Sequence, residues 1–143
     1  MRKNIIILAL IIFSGINGKA QFSGCENIAA FSKSRTPDMA IIISSGDVET
    51  VWNAIRLGIV AQSKGDSVVI FVISKAMDVF MNDTSSRFPI EKTCDQFLSK
   101  GGDIYSCATC AKMRHTEFVQ SCTITSIFDL YAIVKQSKKV ITF

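Results

Sequence analysis

From Met39 onward the chain alternates short apolar runs with segments of helical periodicity, which predicts parallel β/α/β construction. Met39 to Ile43 is a continuous apolar run, suited to a strand buried on both faces. Ser44-Ser45-Gly46-Asp47 interrupts it and supplies N-cap chemistry. Val48, Val51, Trp52, Ile55 and Ile59 then keep helical spacing to a stop near Lys64-Gly65. Gly58 lies on that face, where a missing side chain lets the helix approach the sheet closely. Ser67 to Ile73, rich in β-branched residues, predicts a second buried strand. Lys75 to Met81 predicts a short helix and Asn82 to Pro89 a loop. Ile90, Cys94, Phe97 and Leu98 share one helical face, closed by Gly101-Gly102. Asp103 to Ser106 predicts a third strand running into Cys107. A short helix and loop follow, then Thr123 to Thr125 as a fourth strand. Ser126 and Asp129 resemble a capping box with Asp in place of Glu. Ile127, Leu130, Tyr131 and Val134 continue that helix, and Lys139 to Phe143 is the fifth strand.

The amino end follows a different rule. Arg2 and Lys3 form a positive start, Ile5 to Phe13 is unbroken apolar sequence, and Gly18-Lys19-Ala20 places small residues at a cleavage site. Residues 1–20 therefore read as a secretory signal peptide cut before Gln21. The apolar run is too short to span a bilayer, so the mature chain is expected to carry no transmembrane segment. Lipid attachment at Cys25, after Phe22-Ser23-Gly24, is the less favoured alternative, because Phe22 replaces the usual aliphatic residue. The expected location is periplasmic or extracellular. Residues 21–38, polar and small up to Pro37, read as a flexible lead-in to a domain spanning 39–143.

The leader also changes the charge argument. The chain has 143 residues and a net charge of +4, with 16 basic against 12 acidic side chains. Without Arg2, Lys3 and Lys19 the balance is 13 against 12. The apparent basicity is mostly an export signal, and a nucleic-acid partner loses its support.

A sheet of this kind presents its functional loops at the carboxyl ends of its strands. Three loops qualify: Ser44–Asp47, Ser74–Asp78 and Cys107–Cys110. Ser44, Ser45 and Gly46 are candidate binding residues, because backbone N–H groups at a helix start can hold an anion. Neither the Gly-rich Rossmann fingerprint nor a Walker loop is present, and no cofactor is expected.

Five cysteines, at 25, 94, 107, 110 and 122, carry most of the chemistry. Cys107-Ala-Thr-Cys110 sits where a strand passes into a helix, so the helix dipole is expected to lower a thiol pKa and favour thiolate. Lys112, Arg114 and His115 follow within two turns. Cys107 and Cys110 are thus the candidate reactive pair, against a structural disulfide or an inert pair of thiols. Cys94 falls on an apolar helical face and reads as core. Cys122 is either core or a disulfide partner, and without Cys25 the four remaining cysteines allow three pairings. Cys107, Cys110, His115 and Cys122 approach a zinc-knuckle spacing, but the last interval is two residues too long, and no metal is assigned. A thioredoxin-type reductase is disfavoured because no proline follows the Cys-x-x-Cys to supply a cis peptide.

The segments "IIISSGD", "AIRLGIVAQSKGDSVVIFV", "FLSKGGDIYSCATCAKMR" and "KKVITF" together resemble the DsrE/DsrF-like family of small sulfur-handling proteins, over roughly Met39 to Phe143. The resemblance implies a three-layer α/β sandwich with a five-stranded, mainly parallel sheet of flavodoxin-like topology. It also implies homo-oligomers, trimers or hexamers, and sulfur donor and acceptor proteins as partners. The cysteine after the third strand, here Cys107, would accept sulfur as a persulfide, and Cys110 matches the second cysteine of two-cysteine members. Arg114 matches the family's Arg, and His115 replaces the Gly that often follows it. The expected function is an exported sulfur carrier or thiol-redox protein, at most sulfurtransferase-like. The alternatives are an oligomeric small-ligand-binding protein with no catalysis, or a structural zinc or disulfide site at the same cysteines.

Overall fold

Five short strands pair in parallel throughout: β1 (Met39–Ile43), β2 (Val68–Val72), β3 (Asp103–Cys107), β4 (Thr123–Thr125) and β5 (Lys139–Thr142). The computed structural model describes residues 31, 36–82, 87–117 and 119–143. The expected leader over residues 1–20, and Cys25, lie outside them. Between the strands run α1 (Val48–Ser63), α2 (Ala76–Met81), α3 (Ile90–Ser99), α4 (Ala108–Met113) and α5 (Ile127–Gln136). Among the described residues, no helix is long and apolar enough to cross a membrane.

The strand order is β4-β3-β2-β1-β5. From β1 to β4 every crossover steps toward the same edge, and β5 then returns beside β1. Among the described residues, right-handed crossovers therefore put α1 to α4 on one face and α5 on the other. Layers and pairing match the expectation. The order differs from the flavodoxin 2-1-3-4-5 arrangement, whose reversal falls earlier in the chain. Alternation along a strand indicates buried faces, but it does not specify which strand becomes a neighbour.

Side-chain alternation builds two cores. Ile41, Ile43, Ile70, Val72 and Ile104 face α1 and α3 and join Val51, Ile55, Cys94 and Phe97. Ala40, Val69, Phe71 and Cys107 face the other way, toward Ile133 and Leu130 of α5. All five residues of β2 are buried, as a strand covered on both faces requires. Phe31 belongs to this second core. Although it lies in the segment expected to be a flexible lead-in, its ring meets Tyr105 edge-on at 5.8 Å, and its N–H donates to Asp129 at 2.9 Å.

Helix ends follow the local chemistry. Asp47 caps α1 by accepting from the Thr50 N–H at 2.8 Å. Ser126 and Asp129 form the reciprocal capping box of α5. Burial alone would raise the Asp129 pKa, but hydrogen bonds from Ser126, Thr125 and the Phe31 N–H outweigh it and hold the carboxyl below its usual range. At the end of α3, Gly101 takes a positive φ of 81° and Gly102 turns into β3 against the fully buried Phe97 ring. A methyl group at Gly102 would overlap that ring and the Gln62 amide. Phe97 also packs over Gly58, so it has little room to withdraw. We expect Gly102→Ala to destabilise the protein by about 2 kcal/mol, the scale of core overpacking. Urea denaturation reads this out, and an unchanged midpoint would show that the ring has space to move.

Candidate functional site

The carboxyl edge of the sheet brings together the three loops that follow β1, β2 and β3. Gly46 lies against Lys75, whose Cβ is 3.0 Å from where a Cβ at Gly46 would stand. Arg114, capping the end of α4, reaches across to the loop after β2. Its guanidinium meets Asp78 twice, at 2.6 and 3.2 Å, and donates to the Ser74 carbonyl at 3.0 Å and the Cys110 carbonyl at 3.3 Å. This fork geometry suits arginine and not lysine. Asp78 is held below the usual carboxylate range chiefly by that hydrogen bond. Arg114, a candidate binding residue by sequence, thus spends its donors clamping the Cys-x-x-Cys helix to α2 and the Ser74 turn. Its partner Asp78 closes the Ser74–Asp78 loop marked by sequence, but the pairing itself was not legible there: the two are 36 residues apart, and only the adjacency of the loops joins them.

Ser44 and Ser45 are similarly engaged. Both backbone N–H groups and the Ser44 hydroxyl donate to the Phe143 carbonyl, at 2.8, 3.3 and 2.9 Å. They fasten the end of β5 to the end of β1. Among the described residues, surface cavities lie elsewhere. One, of about 450 Å³, is bounded by Gln62, Asp66, Ser67 and Lys100 at the opposite end of the strands. Another, of about 380 Å³, lies along α1.

Cys107 ends β3 and caps α4. Its sulfur accepts from the Cys110 N–H at 3.4 Å, so the two cysteines bracket the first turn. Cys107 is only 3% exposed, roofed by the α5 side of the core, whereas Cys110 is half-buried. The helix-terminus argument predicts a lowered thiol pKa at Cys107, and the structure reverses the sign. Burial pushes the Cys107 thiol up, against the opposing pull of the Cys110 and Thr109 N–H groups. Among the described residues, no group of three or more His, Cys, Asp and Glu is arranged to hold a metal.

These features occur on a recognised framework. The DsrE/DsrF-like family pattern matches residues 38–143. The chain belongs to the DsrE/DsrF-like family. An uncharacterised protein of Methanopyrus kandleri is 27% identical over 103 residues, covering 66% of this chain and 83% of its own. Two solved structures share the fold at 17% identity. The ychN protein of E. coli superposes with a TM-score of 0.67, covering 75% of this chain and 99% of its own. A protein of unknown function from Bacteroides thetaiotaomicron gives 0.63, covering 74% and 95%.

In this DsrE/DsrF-like protein His115 takes the turn position where glycine is expected. Its φ is 53°. The His115 N–H donates to the Lys112 carbonyl at 3.0 Å and the Thr116 N–H to the Ala111 carbonyl at 3.1 Å, the paired bonds of a Schellman ending. The turn forms with a side chain that disfavours it. His115→Gly is expected to stabilise the protein by about 1 kcal/mol, seen as a higher thermal midpoint. A lower midpoint would show that the imidazole makes a compensating contact.

Proposed function

We propose that this protein is an exported thiol-based sulfur carrier, with Cys107 holding the transferred sulfur and Cys110 as its partner. The observation carrying this reading is the pair itself, bracketing the first turn of α4 at the carboxyl edge with the Cys107 sulfur on a backbone N–H. The family's sulfur-relay character and the Arg114 clamp behind the helix support it. The leader over residues 1–20 supports export.

The chemistry follows from the thiolate. Cys107 attacks the outer sulfur of a donor persulfide, the donor S–S bond breaks, and the donor departs as a thiolate. Cys107 then carries a persulfide. An acceptor thiolate that attacks its terminal sulfur removes that atom and restores the Cys107 thiolate. If Cys110 attacks the inner sulfur instead, hydrosulfide leaves and a Cys107–Cys110 disulfide forms. Cys110, the more exposed thiol, marks the side of approach.

Treatment of the purified chain with a small-molecule persulfide should add one sulfur, which mass mapping places on Cys107. Cys107→Ser should abolish the adduct and Cys122→Ser should retain it. A Cys107 that takes up neither sulfur nor an alkylating reagent in the folded protein would overturn the assignment, because burial would then make it a core residue.

We also propose self-association through α5, as a trimer or hexamer. Phe128 is 80% exposed and Tyr131 65%, with Ile127 and Val134 beside them on α5 and Val140 on β5. A contiguous apolar face of this kind is unusual on a monomer. Phe128→Glu should lower the molar mass measured by light scattering. An unchanged mass would place any interface elsewhere.

A further inference from the structure

A second pair of thiols lies outside the carboxyl-edge site. Cys94 projects from the inner face of α3 and is 1% exposed, while Cys122 enters β4 and is partly exposed. The β3–β4 register pairs Tyr105 with Thr123, which sets Cys122 level with Ile104, one residue earlier on each strand. Side-chain alternation turns Cys122, Ile104 and Ile124 toward α3, and Cys94 and Cys122 pack in the same hydrophobic core. α3 packs on β3 directly. The two cysteines therefore enter one core from a helix and from the strand layer beneath it, on the side of the sheet opposite the core that holds Cys107.

We propose that Cys94 and Cys122 form a structural disulfide when the chain folds in an oxidising compartment. The bridge closes a loop of about 28 residues, and that loop contains β3 and α4, the two elements that present Cys107 and Cys110. Its role is to hold this platform covalently while the other pair gains and loses sulfur. Burial pushes the Cys122 thiol well up, and the nearby Cys94 adds to the effect. Cys94 is closed off from solvent once α3 packs, so the bond forms during folding, before the layers close over it.

With a disulfide oxidant such as oxidised glutathione the step balances. The Cys122 thiolate attacks one glutathione sulfur and expels a glutathione thiolate. Cys94 then attacks the Cys122 sulfur of the mixed disulfide and expels the second. Two protein thiols lose two protons and two electrons, and one glutathione disulfide becomes two thiols.

The test uses the full chain carrying Cys107→Ser and Cys110→Ser. Serine is a favoured helix N-cap, so the first change suits its position. The reduced, unfolded protein is refolded in a glutathione redox buffer, then unfolded, alkylated and mapped by mass spectrometry. The expected result is loss of two hydrogens, a linked peptide pair containing Cys94 and Cys122, and a thermal midpoint about 5 °C or more above that of the reduced protein. Full alkylation of both residues, a separate glutathione adduct on either, or linkage of either to Cys25 would overturn the proposal. The same refolding of the unmodified chain covers the case in which the double variant fails to fold. There, linkage of Cys94 or Cys122 to Cys107 or Cys110 would also overturn it. Persulfide uptake reads Cys107 alone, so failure of one proposal is distinguishable from failure of the other.

Discussion

Burial of β2 on both faces is the constraint on which the rest of the structure depends. A strand made of Val68, Val69, Ile70, Phe71 and Val72 has no face to offer water, so helices must cover the sheet from both sides. Among the described residues the chain meets this requirement unevenly: four helices occupy one face, and the return from β4 to β5 supplies α5 to the other. Phe31, from ahead of the first strand, adds to that cover by packing on Tyr105.

The cover on the α5 side sets the chemistry of the site. Cys107 ends a strand facing that side, and there it is enclosed by the α5 core. Exclusion of water and the neighbouring Cys110 side chain disfavour the thiolate on its sulfur, and the N–H groups of Cys110 and Thr109 favour it. Burial prevails in the resting thiol. The same helix leaves Phe128 and Tyr131 facing outward, because α5 has only one side to bury.

α4, like the equally short α2, depends on tertiary support. It spans six residues, too few for stability by helix formation alone. Arg114 holds its end to Asp78 and the Ser74 carbonyl, and His115 accepts a left-handed conformation so that the chain can leave. The Ser44 loop, by contrast, is committed to the end of β5 through the Phe143 carbonyl. The edge of the sheet is thus braced by contacts that a sequence reading assigned to ligand binding.

What the amino-acid order determined by itself is whatever depends on near neighbours. Strand and helix positions, the Asp47 and Ser126 caps, the Gly101-Gly102 exit and the strand-to-helix placement of Cys107 all follow from spacing and local hydrogen bonding over a few residues. The segments quoted from Met39 to Phe143 also carried the family resemblance. Tertiary structure alone decided the return of β5 beside β1, the partnership of Arg114 with Asp78, the burial of Cys107 under α5, and the placing of Cys94 and Cys122 in one core. Each of these joins residues far apart in the chain. Hydrophobic alternation says that a face is buried, but what buries it, and therefore how water and charge act on a sulfur, is settled only when the layers pack.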